Sequence, residues 1–467
     1  MTKSWKKTME QSVGAQQLHR GLGKRHIQLI AIGGAIGTGL FMGTGKTISV
    51  SGTSIIFTYL LVGFFAFMVM RAMGEILLSN LAYRSFVDFV ADYLGEKASY
   101  FMGWTYWMSW IVTCIADVVI CGGYIQYWYP DISLWLTALF ILGSMFLCNF
   151  FSVQIFGETE FWFAMIKVLA IIALIIVSVG MVIVGWTSPN GVTASIRHLT
   201  ESEVFLPYGV LGFLAGFQIA IFSFTGIELI GMVAAETKEP KKVLPKAINS
   251  IPIRVIIFYV LSMVCIIAVT SWPYISPSVS SFVTLFALAG LPAAAAVINF
   301  VALTSAMSSA NSGLYACTRM LYSLSTEKLA HSKFGMLSIQ SSVPTFSLIF
   351  SVLCMVSGIF LLFIIPDVMK LFTIVSTVAA IMVIYNWCMI LFAYLVYREK
   401  RPDLHKVSIY KMPVGIPMTY ITLIFFAFTV VIMILDYDTR IALYGSAIWF
   451  FILEIFWWKR KSKNLRL

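Results

Sequence analysis

The chain has 467 residues, of which 60% are hydrophobic and 11% are charged. Soluble proteins are typically about 25% charged, so this composition excludes a sizeable soluble domain. The formal net charge of +11 would suit a nucleic-acid partner. The basic residues lie in short loops and tails between apolar runs, however, so no nucleic-acid partner is expected.

Twelve long apolar runs, separated by short polar loops, follow one another along the chain. About 20 apolar residues span a bilayer as a helix, and no run alternates with period 2 as barrel strands do. The sequence therefore predicts an all-α polytopic membrane protein with 12 transmembrane helices. Residues 1–26 are polar, so no cleavable signal peptide is expected. Eight runs contain no Asp, Glu, Lys or Arg, namely 27–45, 47–70, 132–157, 255–281, 282–318, 341–366, 371–397 and 412–435.

The loops on the two sides of the predicted membrane differ strongly in charge. The side that holds both termini has 27 of the 32 Lys and Arg residues, and the opposite side has four. Because basic loops stay in the cytosol, this distribution predicts cytosolic N- and C-termini and a location in the cell membrane. The basic tail 459–467 is expected to touch anionic lipid. Nothing in the sequence fixes an oligomeric state.

The cysteines lie at positions typical of packing residues, and the histidines lie at positions typical of loop residues. All seven cysteines lie inside apolar runs, which is typical of small residues that pack between helices. The five histidines lie in tails or loops without the spacing of a metal site. We therefore expect no metal and no cofactor.

Runs 1 and 6 differ from the others because both are rich in glycine. Run 1 has four glycines within residues 33–39, and run 6 contains the segment 222–231 around Glu228. Glycine inside a helix costs about 1 kcal/mol relative to alanine, so both helices are predicted to be broken. Close packing through small residues is the alternative explanation.

The two interrupted runs lie five runs apart, which indicates an inverted repeat. A unit of five helices crosses the membrane an odd number of times, so its second copy enters from the opposite side. Interrupted helices at matching positions of two halves indicate the central site of a transporter. The predicted parts are an N-terminal tail, a first repeat, a second repeat, two added helices and a basic tail, at 1–25, 26–190, 204–397, 412–458 and 459–467.

An unwound segment inside a membrane exposes backbone groups that only a cavity or a ligand can satisfy. N–H groups at a half-helix N-terminus suit a carboxylate, and free carbonyls suit an ammonium group. A site with both therefore suits an amino acid. Gly37, Thr38 and Gly39 are the predicted carboxylate site, with the Thr38 hydroxyl as an extra donor. The predicted ammonium site consists of the carbonyls around Ala35, Phe222, Ser223 and Thr225.

Four runs carry one charge each, at Asp117, Lys167, Glu228 and Glu454. Charges inside a membrane are costly and usually face a cavity, a partner or a transport path. Lys167 is the seventh residue of run 5, about 10 Å from its start. It could carry a proton, or its head could extend to the interface. Glu228 could anchor the break in helix 6 or carry a proton.

The remaining polar candidates have weaker signals. Asp117 could tune the pocket or make a structural hydrogen bond, and Glu454 is expected at the interface. Glu75, directly after run 2, is expected at a cytosolic gate or as the anchor of a loop. Three serines of run 8 could line the cation position near Lys167, although such hydroxyls often bond to their own helix backbone; they are Ser305, Ser308 and Ser309.

At these segments the chain resembles an amino-acid permease of the amino acid–polyamine–organocation superfamily. The resemblance spans nearly the whole chain. The segments that carry it are His26-Ile-Gln-Leu-Ile-Ala-Ile-Gly-Gly-Ala-Ile-Gly-Thr-Gly-Leu-Phe41, Phe156-Gly-Glu-Thr-Glu-Phe-Trp-Phe-Ala-Met-Ile-Lys167, Phe222-Ser-Phe-Thr-Gly-Ile-Glu228, Ala234-Ala-Glu-Thr-Lys-Glu-Pro240 and Ala247-Ile-Asn-Ser-Ile-Pro-Ile-Arg254.

The resemblance implies the five-plus-five inverted repeat with two extra helices, and a substrate bound at the breaks of helices 1 and 6. It implies that Phe222 caps the substrate and that Glu228 is the acidic residue just past the second break. Lys167 matches a lysine of proton-coupled members, whose ammonium group lies where sodium-coupled relatives bind a metal ion.

The resemblance also favours members that carry small neutral amino acids, on residues 103–107, 116–118 and 408–413. The expected function is import of glycine, D-alanine and D-serine by proton symport, with L-alanine and D-cycloserine as further candidates. The alternatives are a permease for proline, GABA or an aromatic amino acid, and a receptor on this scaffold. A membrane enzyme would need a nucleophile–base or metal constellation, which the loops lack, so the protein is not expected to be an enzyme.

Overall fold

The computed structural model describes residues 36–83, 85–151, 153–200, 205–232, 239–277, 279–338 and 343–464. In these ranges the chain is helical, and the only β pairing is an isolated bridge between Thr187 and Thr193. The first half of the described chain contains α1 (Thr38–Phe41), α2 (Gly43–Ser51), α3 (Ile55–Ser79), α4 (Phe86–Leu94), α5 (Glu96–Gln126), α6 (Leu134–Phe151) and α7 (Val153–Val184).

The second half begins with the short helices around the second break and ends with a long peripheral helix. Its helices are α8 (Gly209–Ser223), α9 (Leu229–Met232), α10 (Pro240–Asn249), α11 (Ile251–Arg254), α12 (Leu261–Thr270), α13 (Ser281–Leu288), α14 (Pro292–Thr326), α15 (Thr345–Ile359), α16 (Leu361–Ile364), α17 (Val368–Lys400), α18 (Pro402–Val407), α19 (Ile416–Ile432) and α20 (Tyr437–Asn464).

The helices are apolar enough to form a membrane protein that crosses the bilayer several times. Within the described ranges, eight helical segments are long and apolar enough to span a membrane, and α6, α8 and α19 are shorter apolar helices. Large apolar side chains cover the outside of the bundle, among them Phe140, Ile183 and Ile364, which are 74%, 78% and 75% exposed. Such a surface suits hydrocarbon and not water.

Three helices form the centre of the bundle. α5 packs most extensively against α14 and α17. Small residues allow this close approach: a Cβ atom added at Gly313 of α14 would lie 2.5 Å from the Cys114 Sγ of α5. α17 begins where the Asp367 carboxylate accepts a hydrogen bond from the Lys370 N–H at 2.8 Å, which is a typical N-cap. This centre places Asp117 of α5 and the serines of α14 close to the helix breaks.

Several predicted helix boundaries are wrong, because the helices continue through polar residues that find partners elsewhere in the fold. Lys46, predicted to lie in a loop, is inside α2 and donates to Thr373 Oγ1 at 2.6 Å. α3 continues to Ser79, beyond the predicted end at Met70, so Glu75 is helical.

Two further helix boundaries also differ from the predicted ones. The predicted single run 282–318 consists of two helices, α13 and α14, separated at Gly290 with φ 74°. α7 begins at Val153 and not near Phe161. Lys167 is therefore 14 residues past the start of its helix, about 21 Å at 1.5 Å per residue. With a side chain that is 0% exposed, extension of its head to the interface is no longer a reasonable explanation.

Candidate functional site

The predicted break in helix 6 is present. α8 ends at Ser223, turns occupy residues 224–228, and α9 begins at Leu229. Gly226 has φ 102°, a conformation that favours glycine. Its N–H donates to both carboxylate oxygens of Glu228 at 3.2 Å. Glu228, 2% exposed, therefore satisfies a backbone group that the break would otherwise leave unpaired. This is the geometry of the predicted anchor.

The segment in which the break in helix 1 is predicted is described from Ile36 onward. Ser305 Oγ of α14 donates to the Ile36 carbonyl at 3.1 Å, and the Gly37 carbonyl accepts from the Leu40 N–H at 3.1 Å. α1 begins at Thr38, so its first N–H groups lie where intrahelical acceptors are missing. Ala35, predicted to supply a carbonyl, lies outside the described residues.

The start of α1, where the first break is predicted, is in direct contact with the break in helix 6. A Cβ atom added at Gly39 would lie 2.4 Å from Ser223 Oγ and 2.7 Å from Ser223 Cα. A Cβ atom added at Gly37 would lie 3.4 Å from Ser309 Oγ of α14. Gly37, Gly39, Ser223 and Ser309, which were predicted from separate parts of the sequence, therefore come together at one place in the bundle.

Several polar groups of this region already have partners. The Thr38 hydroxyl donates to Asp117 Oδ1 at 2.6 Å. A hydroxyl has a single proton, so in this arrangement Thr38 does not donate to a carboxylate ligand as predicted. The Ser223 carbonyl accepts from the Tyr259 hydroxyl at 2.8 Å. The buried Thr225 Oγ1 has no hydrogen-bond partner among the described residues.

Phe222 lies in the last turn of α8 and is buried, with 4% of its surface exposed. Its ring meets the Phe372 ring of α17 edge to face, with 5.7 Å between the ring centroids. Phe222 is next to Ser223, so it lies beside the contact between the breaks. Its role as a cap over the substrate stays a prediction.

A buried charged network lies on the other side of α14. Lys167 Nζ donates to Ser308 Oγ at 2.8 Å, and Ser308 Oγ donates to Glu160 Oε1 at 2.6 Å. All three side chains are 0% exposed. The adjacent Ser309 lies on the side of α14 that faces Asp117. Ser308 and Ser309, predicted to lie near Lys167, thus each face a different buried carboxylate.

Glu160 was missed in the sequence. Residues 158–160 contain two acids and follow directly after the apolar run 132–157, so hydropathy does not place them in a helix, although α7 already begins at Val153. The spacing held a signal: Glu160 and Lys167 are seven residues apart, which places them two turns apart on one helix face.

Asp117, 0% exposed, links the network to the first break through Thr38. Its second oxygen, Oδ2, has no hydrogen-bond partner among the described residues. Both predicted roles are compatible with this position, since Asp117 makes a structural hydrogen bond and also lies beside the break in helix 1.

Glu75 lies away from this site. Its buried carboxylate accepts hydrogen bonds from the Tyr394 hydroxyl at 3.0 Å and the Met412 N–H at 2.8 Å, and lies 2.5 Å from His405 Nδ1. Glu75 therefore attaches the segment around α18 to α3, as predicted for the anchor of a loop. Glu454 pairs with Lys97 at 2.8 Å on the exposed surface, so it is also separate from the site.

Apolar helices long enough to span a membrane, a helix break that adjoins the start of α1, and a buried lysine–carboxylate network indicate a helical membrane transport protein. The chain belongs to the amino acid permease family, whose sequence model matches residues 26–466. The resemblance seen in the sequence is thereby confirmed.

Three relatives indicate the position of the chain within this family. It is 53% identical to the D-serine/D-alanine/glycine transporter of Escherichia coli K12 over 460 residues, or 98% of each chain. It is 45% identical to the amino-acid permease AapA of Bacillus subtilis, over 94% of each chain. Its identity to the DL-alanine permease SerP2 of Lactococcus lactis is 38%, over 97% of this chain and 98% of the relative.

Proposed function

We propose that this protein imports glycine, D-alanine and D-serine by proton symport. The observation that carries the proposal is the contact of Gly39, at the start of α1, with Ser223, at the break in helix 6, together with the buried Lys167. The choice of substrates is supported by the 53% identity to the D-serine/D-alanine/glycine transporter of Escherichia coli. L-alanine and D-cycloserine, which share the same zwitterionic or small polar character, are further candidates.

In this proposal, backbone groups bind the two charged ends of the substrate. The first N–H groups of α1, at Gly37–Gly39, hold the carboxylate. Carbonyls at the end of α8, at Phe222 and Ser223, and that of Ala35 hold the ammonium group, with the unpaired Thr225 hydroxyl as an added polar contact. The Phe222 ring covers the small substrate.

The coupling proton resides on Lys167 in this proposal, with Glu228 as the second candidate. A buried amine that alternates between charged and neutral forms changes the charge beside the first break. Substrate and proton together then favour the inward-opening state more than either alone, which is a shift of population between two states.

We further propose 12 membrane crossings arranged as two inverted repeats, 26–190 and 204–397, with two added helices at 412–458. The segment Gly43–Ser79 bends at Gly52, with φ 60° and ψ −144°, and so supplies parts of two crossings. The seven other long segments and three shorter helices supply one crossing each. The excess of Lys and Arg on one side supports cytosolic termini in the cell membrane.

Counterflow in proteoliposomes tests the substrate assignment. Vesicles loaded with unlabelled glycine should take up labelled glycine, and external D-alanine and D-serine should compete with it. Competition by proline, GABA or aromatic amino acids alone would move the protein to a different substrate group. Binding of glycine without counterflow would instead indicate a receptor.

A further inference from the structure

The network around Ser308 has a directional order of hydrogen bonds. Lys167 Nζ donates to Ser308 Oγ at 2.8 Å, and Ser308 Oγ donates onward to Glu160 Oε1 at 2.6 Å. A serine hydroxyl can donate and accept at the same time. The three groups therefore form a continuous path for a proton from the amine to the carboxylate, entirely inside the protein.

We propose that Lys167, Ser308 and Glu160 act as one proton-sharing unit, in which Glu160 exchanges the transported proton with the cytosolic side. This inference rests on the proposed proton symport and adds Glu160 and Ser308 to the coupling machinery. The role of Lys167 alone belongs to that proposed function.

The transfer within the unit balances in atoms and charge. One N–H bond of the Lys167 ammonium breaks as its proton bonds to Ser308 Oγ. The original hydroxyl proton of Ser308 leaves at the same time and bonds to Glu160 Oε1. An ammonium–carboxylate pair becomes an amine and a carboxylic acid, with zero net charge before and after. The unit then gains a net positive charge when one more proton arrives.

The position of the unit places it between the side predicted to be cytosolic and the substrate site. Glu160 is seven residues past the start of α7, about 10 Å along the helix, on the side predicted to be cytosolic. Ser309, next to Ser308, reaches Asp117, which holds Thr38 at the first break. A change of charge at Lys167 therefore occurs close to the substrate site, since Asp117 acts electrostatically on Lys167.

Few other titratable groups lie on the helices packed against α7. α6 and α12 carry one cysteine each, Cys148 and Cys265, and α13 carries none. α14 carries four such groups, Tyr315, Cys317, Arg319 and Tyr322. Glu160 and Asp117 are the carboxylates of the described chain that act electrostatically on Lys167. A change in pH dependence after substitution of Glu160 therefore reports on this unit.

The unit can be tested in proteoliposomes that contain a pH-sensitive dye, with glycine added outside. Wild-type protein should acidify the interior when glycine enters. Glu160→Gln and Ser308→Ala should reduce glycine-driven acidification at least tenfold and flatten the pH dependence of uptake. Glycine counterflow, which needs no net proton movement, should persist. Ser308→Thr keeps the hydroxyl and should restore acidification.

Glu158→Gln is the matched control, because it makes the same change on the same helix and Glu158 is only half-buried. It should behave as wild type. Normal acidification with an unchanged pH profile in Glu160→Gln would overturn the inference. If Glu160→Gln loses counterflow as well, normal acidification in Ser308→Ala overturns it equally, because this variant keeps both charges. Absence of acidification in the wild type would refute proton symport itself, and counterflow would then show whether transport remains.

Discussion

The contact between the two breaks makes Gly39 the most sensitive position in the proposed site. A Cβ atom at residue 39 would lie 2.7 Å from Ser223 Cα and 2.9 Å from Ser223 Cβ. Carbon atoms in contact are normally about 3.5–4.0 Å apart, so the overlap is about 1 Å. A new rotamer of Ser223 cannot relieve it, because Cα belongs to the backbone and the Tyr259 hydroxyl holds the adjacent carbonyl.

The size of the effect follows from this overlap. Added methyl groups in a packed interior cost about 1–3 kcal/mol. A cost of this size lowers the population of the conformation in which residue 39 contacts Ser223 by roughly 5- to 150-fold. Gly39→Ala should therefore lower the initial rate of glycine uptake within that range. The larger, branched side chain of Gly39→Val should abolish uptake while the protein still reaches the membrane.

The assay is uptake of radiolabelled glycine into vesicles, normalised to the amount of protein in the membrane. Gly143→Ala and Gly180→Ala are matched controls, because a Cβ atom at either glycine meets nothing within 4 Å. Both controls should retain wild-type uptake. Near-normal uptake by Gly39→Val would refute the reasoning and remove this segment from the site.

Three further predictions concern other parts of the structure. Phe222→Ala should weaken transport of glycine and alanine more than that of bulkier amino acids in a competition assay, whereas a uniform loss would indicate packing. Lys167→Ala should remove the dependence of glycine accumulation on a pH gradient and spare counterflow. Lys167→Arg should also fail to couple transport to the proton, because guanidinium does not release its proton. Normal accumulation by Lys167→Arg would exclude Lys167 as the titrating group. Glu75→Ala leaves the buried Met412 N–H without its acceptor, at about 1–3 kcal/mol, and should lower the unfolding temperature in detergent; an equal loss in the exposed control Glu399→Ala would contradict this explanation.

The helical class and the break in helix 6 could be predicted from the sequence, because both depend on local composition. The length of an apolar run is enough to indicate that it spans the bilayer. Gly226 indicates a backbone conformation that other residues adopt only at a cost in free energy. The family motifs then related the two breaks to one another.

The sequence did not predict which polar residues are buried, because their partners lie far along the chain. Glu160 lies inside the protein because Ser308 donates to it from another helix. Lys46 lies in a helix because Thr373 accepts its hydrogen bond. Hydropathy counts these residues as polar and ends the helix early. In the same way, the donation from Thr38 to Asp117 depends on a side chain 79 positions away, so the local motif assigned the Thr38 hydroxyl to the ligand.

Accumulation of glycine against its gradient tests the central claim most directly. Purified protein in proteoliposomes would receive either a pH gradient, acidic outside, or a sodium gradient of the same size. Proton symport predicts that the pH gradient alone concentrates glycine inside and that a protonophore abolishes the accumulation. Accumulation that follows the sodium gradient, or equilibration without accumulation under either gradient, would contradict it.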